Sequence, residues 1–476
     1  MRTASAPARP AAPRSRLRVL PAAVVAAALT AVSAATVALG VHRQAEPFPY
    51  LAWVGAAWLL FGLGIVLLRL APARAVPAVV LVGTVAIGLA ALTGPPTTST
   101  DSARYNWDGI VQSAGVDPYR YVPADAALEE LRPRWLFPEG TTDADGRLVC
   151  PGPLARATPE ANGSGEICTV INRPQVPTIY PPVAEALFTL VRAPLPRDAE
   201  YWPTQLLGFA VMVGTTALLL SALRRRGLDP RWAALWGWCP LVASDAVTNA
   251  HVDGAGAFLA LAASLLVASG RPIRGGVVLG LAVATKFVPV LAAPPLLRRT
   301  PLRVVGAAVA TVAIGYLPHV LASGAGVIGY LPGYLAEEGY EDGTRSALVS
   351  LVVPSGASTL VAAALVAVIA VVVLVRADPT APWVGQCVVI GSALVLLSPR
   401  YAWYALLLVP FVAMSGRWEW FGVPLALMLR QYAPDAVTFR AALLAAVLAV
   451  VVGALVRRRT GDSGRTARTP RSLAKR

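Results

Sequence analysis

The stretch AVPAVVLVGTVAIGLAALTGPPTTSTDSARYNWDG, residues 75–109, changes character once, and that change decides the fold. Residues 75–93 form an apolar run about as long as the roughly 20 residues a helix needs to cross a bilayer core. From residue 94 the chain turns polar and runs into Asp101-Ser102-Ala103-Arg104-Tyr105-Asn106-Trp107-Asp108-Gly109. A membrane helix that hands its chain straight to such a cluster sets charged and aromatic side chains at the membrane surface.

The same apolar character recurs on both sides of this stretch. Of the 476 residues, 56% are hydrophobic and 14% charged, which excludes a purely soluble enzyme. Apolar runs near 18–41, 51–69, 203–223, 232–248, 254–269, 303–321, 347–375, 383–397, 402–415, 418–432 and 439–456 join 75–93. They predict an all-α polytopic membrane protein of about 12–13 transmembrane helices. The formal net charge of +15 does not point to nucleic acid, because the Arg residues gather at the ends of the apolar runs. By the positive-inside rule, residues 1–17 and 457–476 are expected to be cytoplasmic basic tails, flanking three N-terminal transmembrane helices (18–93) and a transmembrane bundle (201–456).

Between them lies an expected external loop, 94–200, with 14 of the chain's 26 Asp and Glu. Segment 275–297 is flanked by Arg274 and by Arg298, Arg299 and Arg303, so both of its ends are expected on the cytoplasmic side. That predicts a re-entrant segment broken from Lys286 to Pro295, the alternative being one span with weak charge bias. The 94–200 loop, Asp245 to Asp253, an external loop at 322–346 and Ser398 to Tyr404 then fall on one side and can share an outward-facing cavity.

Within that set, Asp101 and Asp108 are candidate bases, since a partly desolvated carboxylate can take a proton from a hydroxyl. The alternative is that both cap short helices. Arg104, Tyr105, Trp107, Tyr119 and Tyr180 accompany them as candidate substrate contacts. Lys286 is one of two lysines against 39 arginines, and a Lys inside an apolar stretch needs a partner or a cavity. An anionic head group such as a phosphate would suit it; snorkelling to the interface is the competing reading. Asn249, His251 and Asp253 suggest a cavity rim. In Ser398 to Tyr404, Arg400 could meet a phosphate and Tyr401, Trp403 and Tyr404 could stack on a sugar, or form an aromatic belt. Arg345 could contact a polar group, although a solvated acidic turn is the simpler reading of Glu337 to Arg345. Cys150 and Cys168 in the external loop are candidates for a disulfide, which would add about 3 kcal/mol in the chain-entropy account. No Cys and His spacing resembles a zinc site.

The order of these elements, together with Asn172-Arg173-Pro174, Thr178-Ile179-Tyr180-Pro181-Pro182 and Thr285-Lys286-Phe287, resembles the GT-C superfamily of polyprenyl-phosphate-mannose-dependent mannosyltransferases, close to glycosyltransferase family 87 of actinobacteria. The resemblance covers roughly residues 94 to 410 and implies a GT-C-type bundle whose large external loop carries juxtamembrane helices. It implies an enzyme of the bacterial plasma membrane that moves a mannosyl or related unit from a polyprenyl-phosphate donor to a glycolipid or polysaccharide acceptor at the outer face, by inverting single displacement. It maps the base to Asp101, with Asp108 as fallback, and the donor phosphate to Lys286 and Arg400, with Arg173 or Arg345. Two spans precede the one that feeds the loop, a departure from the usual arrangement. The rival reading is a transporter or flippase for a lipid-linked sugar, whose polar groups would extend into the inner half.

Overall fold

The computed structural model describes residues 17–41, 48–340, 345–432 and 435–459. The chain is an all-α polytopic membrane protein. It opens with α1 (Leu20–Leu39), α2 (Phe48–Leu67) and α3 (Val76–Ala91), each apolar all round, as expected of helices shared between lipid and protein. Pro21 and Pro77 sit in the first turns of α1 and α3, where a missing N–H costs nothing.

The polar segment that follows contains two amphipathic helices, α4 (Asp101–Ser113) and α5 (Pro182–Arg192). Between them lie two antiparallel hairpins, β1 (Thr141–Thr142) with β2 (Leu148–Val149), and β3 (Arg156–Pro159) with β4 (Glu166–Thr169). A disulfide joins Cys150 to Cys168 and ties the second hairpin to the first. This segment has its own small core, in which Trp107, Ile110 and Val111 of α4 meet Leu128, Leu136 and Ile171. At Gly109 the two helices nearly touch: a β-carbon there would lie 2.6 Å from the Phe188 carbonyl oxygen.

The bundle continues through α6 (Trp202–Arg225), α7 (Asp253–Ala268), α8 (Pro272–Val283), α9 (Pro301–Ser323) and α10 (Leu331–Glu337). It closes with α11 (Ser355–Arg376), α12 (Trp383–Leu397), α13 (Val409–Ser415), α14 (Gly422–Tyr432) and α15 (Ala436–Arg459). Among the described residues, six helices are long and apolar enough to cross a membrane unaided, one bent pair could make a seventh, and four apolar helices are shorter. Several of the expected 12–13 transmembrane helices are thus short or broken, because their apolar runs break up where they approach the polar end of the bundle.

The run 232–248 shows how. Instead of one straight span it gives a 3₁₀ turn at Pro230–Ala233, a short helix at Ala234–Gly237 and a π-helical stretch at Val242–Thr248. The last bends by 109° into α7. The π turn packs against α6 at Gly208, where any β-carbon would run into the Ala246 carbonyl. Its wider ring shifts the carbonyls by one residue, so that the Asn249 N–H bonds Ser244 O at 2.8 Å. Asn249 to Val252, at the bend, are thereby held off the helix axis.

Segment 275–297 is likewise no continuous span. Gly276 and Gly280 of α8 face the backbones of Val304 and Ala308 of α9, so the two helices run side by side in the same direction. The chain between them must therefore double back, which it does after Lys286 through 3₁₀ turns at Val288–Ala292 and Pro294–Leu296. Gln386 of α12 satisfies the exposed Ala292 carbonyl at 2.9 Å, as irregular backbone within a bundle requires. Within the expected 322–346 loop, Gly324–Ile328 forms a 3₁₀ turn and α10 follows, with Gly324 and Gly329 at φ 55° and 57° allowing the chain to fold over.

Candidate active site

At the polar end of the bundle lies a cavity of about 790 Å³. The N-terminus of α4, the β3–β4 hairpin, residues 169–181, the re-entrant tip at Lys286, the α10 region and the turn at 401–404 all contribute to its wall.

Asp101 opens α4, where a carboxylate also offsets the partial positive charge of the helix start. Its Oδ1 accepts a 2.6 Å hydrogen bond from Asn172 Nδ2, and its Oδ2 lies 3.6 Å from His251 Nδ1. The side chain keeps 16% exposure, toward the cavity. Tyr105 Oη stands 3.4 Å from the same imidazole nitrogen. The His251 ring is stacked on Trp403 at 3.8 Å, and Trp403 on Tyr401 at 4.3 Å. His251 Nε2 is buried and has no hydrogen-bond partner among the described residues.

Lys286 Nζ also lines the cavity wall and is bound to Asp253 Oδ2 at 2.7 Å, with the Tyr404 ring centroid 4.9 Å away. Asp253 and Lys286 are thus one ion pair, and Asp253 serves the lysine rather than the cavity directly. Arg173 forms a two-pronged pair with Glu337 of α10, both contacts 2.7 Å, and lies over the Tyr334 ring. Tyr334 Oη and Tyr404 Oη share a 2.7 Å hydrogen bond.

Several residues expected at the site have other duties. Asp108 binds Arg104 Nε through both oxygens at 2.8 and 3.0 Å, and its side chain is 3% exposed. Beside it Glu185 is fully buried, accepting from Thr178 and Gln112, each at 2.7 Å. Burial pushes the Asp108 and Glu185 carboxyls up, and the neighbouring Asp108 charge lifts Glu185 further. Arg104 still reaches the cavity; Asp108 does not. Trp107 packs on Phe137 in the loop core, Tyr105 stacks on Phe188 at 4.6 Å, and Tyr119 donates to the Tyr180 carbonyl at 2.5 Å. These three support the wall without lining it, whereas Tyr180 does line it.

Asn249 is a strut: its Oδ1 accepts from the backbone N–H groups of Thr97 and Thr98 at 2.9 and 3.0 Å, tying the π-helical bend to the chain that enters α4. Arg345 is buried against Glu338 and donates to Ser398 O, so it holds the 398–404 turn and does not line the cavity. Arg400 is exposed and lies off the cavity wall. Among the described residues no three His, Cys, Asp or Glu side chains converge as a metal site. Tyr330 and Tyr334 carry no signal in the sequence, Asn172 stands in a motif but gains a role only from its contact with Asp101, and Glu337, read as part of an acidic turn, proves to hold Arg173.

A helical membrane bundle with a loop-roofed cavity at one end, holding a partly open carboxylate, aromatic faces and paired cations, has the makings of a membrane transferase acting on a polar substrate. Residues 178–399 match the model of glycosyltransferase family 87, and over this stretch the chain is similar to that family. The match spans just under half of the chain and takes in His251, Asp253 and Lys286, but neither Asp101 nor the 401–404 turn. No curated protein and no solved structure matches the chain.

Proposed function

We propose that the protein transfers a mannosyl or related unit from a polyprenyl-phosphate donor to an envelope glycolipid or polysaccharide acceptor by inverting single displacement. The observation that carries this reading is Asp101: a carboxylate open to the cavity, held by Asn172, in a wall that also presents Lys286. Asp101 takes the acceptor hydroxyl proton while that oxygen forms a bond to the anomeric carbon. The bond from that carbon to the phosphate oxygen breaks, and polyprenyl phosphate leaves with the electron pair. His251, stacked on Trp403 beside Oδ2, restrains the carboxylate.

Lys286 meets the phosphate as its charge grows, an attraction that helps catalysis only insofar as it is stronger in the transition state. Its bond to Asp253 keeps the half-buried ammonium compensated until donor arrives. Phe287 and Val288, next to Lys286 and also on the wall, give the prenyl chain an apolar seat. Arg173 joins the donor side only if Glu337 releases it; Arg345 is left out of the contact set, and Arg400 could reach substrate only from the rim. Tyr180, Tyr401, Trp403 and Tyr404 supply faces for the sugar.

The arginine-flanked helix ends favour cytoplasmic termini and a cavity on the outer face of a bacterial plasma membrane, and the Arg-rich, Lys-poor composition suits an actinobacterial host. Transport of a lipid-linked sugar is the second reading. It is less favoured because the charged and aromatic candidates Asp101, Lys286, Tyr401 and Tyr404 line one cavity at the polar end of the bundle, whereas a transport pathway would also need polar groups in the inner half. The test is label transfer from radiolabelled polyprenyl-phosphate-mannose to an envelope glycolipid fraction, in membranes carrying wild type or Asp101→Asn. Transfer by wild type alone supports the reading; no transfer by either, with lipid-linked sugar crossing reconstituted vesicles, replaces it with transport.

A further inference from the structure

Four cations line the cavity, and their partners divide them. Arg104 is matched by Asp108, Arg173 by Glu337 and Lys286 by Asp253, each within 2.8 Å. Arg156 is exposed and, among the described residues, makes no ion pair. We propose that Arg156 is the docking point for an anionic group, a phosphate or carboxylate, carried by the acceptor; this rests on the transferase reading above.

The position of Arg156 is built rather than incidental. It begins β3, directly across from Thr169 of β4, and the Cys150–Cys168 disulfide anchors the hairpin one residue away from that pair. Further along β3, Gln175 donates to Thr158 Oγ1 at 2.8 Å and to the Pro159 carbonyl at 2.5 Å, while Arg132 holds Glu160 at 2.7 Å. The backbone carrying Arg156 is therefore pinned on several sides, while the residue lines the cavity and, among the described residues, has no carboxylate partner. A planar guanidinium in that state binds a phosphate or carboxylate through two parallel hydrogen bonds without first breaking an internal one.

Its place in the wall assigns the anion to the acceptor. A donor phosphate is bonded directly to its prenyl chain and must stay beside the apolar residues Phe287 and Val288, where Lys286 already waits. Arg156 belongs instead to the soluble segment. The strand opposite it runs on from Thr169 to Asn172, whose amide holds Asp101, and the acceptor hydroxyl has to reach that base.

The test uses purified full-length protein in detergent with two probes, octyl α-mannoside and octyl α-mannoside 6-phosphate. Tryptophan fluorescence reads binding, and transfer from polyprenyl-phosphate-mannose reads turnover. Wild type is expected to bind the phosphorylated probe about tenfold more tightly, the worth of one charge-assisted contact. Arg156→Ala should narrow that gap to under about twofold, Arg156→Glu should invert it, and Arg156→Lys should keep most of it. Equal binding of the two probes by wild type overturns the proposal, as does an Arg156→Ala variant whose KM rises for donor instead of acceptor. Tenfold discrimination with no sugar transfer to any acceptor overturns the transferase reading and leaves the anion site standing.

Discussion

Asp101 and Asp108 share one helix, about two turns apart and so on nearly the same face, yet they come to rest in opposite surroundings. Asp101 sits in the first turn, held by one amide and open to the cavity; Asp108 is closed in by α5 and locked to Arg104. The difference comes from what crosses the helix. Phe188 and Arg192 of α5 lie over Gly109, and the roof ends before Asp101. Two identical side chains thus end up one open to the cavity and one closed in an ion pair, through packing alone.

The sharpest way to break this contrast is to neutralise each in turn. Asp101→Asn should cut transfer by about a hundredfold to ten-thousandfold, the usual worth of a general base, with thermal stability in detergent within about 0.5 kcal/mol of wild type. Full activity in that variant would strike Asp101 from the mechanism. Asp108→Asn should do the reverse, destabilising the protein by about 3–5 kcal/mol because Arg104 is left buried and unpaired. The double change Arg104→Met with Asp108→Leu should regain much of that loss in a thermal melt; failure to regain it would mean that the ion pair has a role beyond packing.

A smaller effect sharpens the comparison at the crossing point. Gly109→Ala places a β-carbon 2.6 Å from the Phe188 carbonyl oxygen, so α4 and α5 must part. The cost should be about 1–3 kcal/mol, read by a melt, with faster amide exchange across 182–192. A variant as stable as wild type would show that the crossing can relax.

The smallest effect concerns pH. Glu185 has its carboxyl raised by burial and then by Asp108, so the folded state holds a proton that the unfolded chain gives up near the ordinary 4.5. Stability from this source is whole below that value and is lost as pH climbs through the raised folded one. Protection of the 182–192 amides, taken relative to the intrinsic base-catalysed exchange rate, should therefore fall with rising pH, and Glu185→Gln should flatten that profile; an unchanged slope in that variant would assign the effect elsewhere.

Much of the architecture was legible in the chain. The membrane class, the polar segment after α3 and the peculiarity of Lys286 follow from local composition. Which runs form straight helices was not legible, because an apolar run signals burial or lipid contact without saying whether its backbone stays straight. The Val242–Thr248 π turn and the break after Lys286 arise from contacts with α6 and α12, which no single window contains. Among the candidate residues, type was a good guide to neighbourhood and a poor one to duty: Asn249, Asp108 and Arg345 all lie near the cavity, and each is spent on holding the chain that surrounds it.

The sequence by itself determined that this protein spans a membrane many times and carries its acidic, aromatic segment after the third apolar run. Transfer of apolar side chains out of water is summed along the chain, and a window of about 20 residues captures it. Only the tertiary structure decided that Asp101 and not Asp108 lines the cavity, that Lys286 answers to Asp253, that Glu337 holds Arg173 and that Arg156 has no ion-pair partner among the described residues. Those pairings join residues 33 to 164 positions apart, and Coulomb and hydrogen-bond energies depend on distances in space that appear only once the helices have packed.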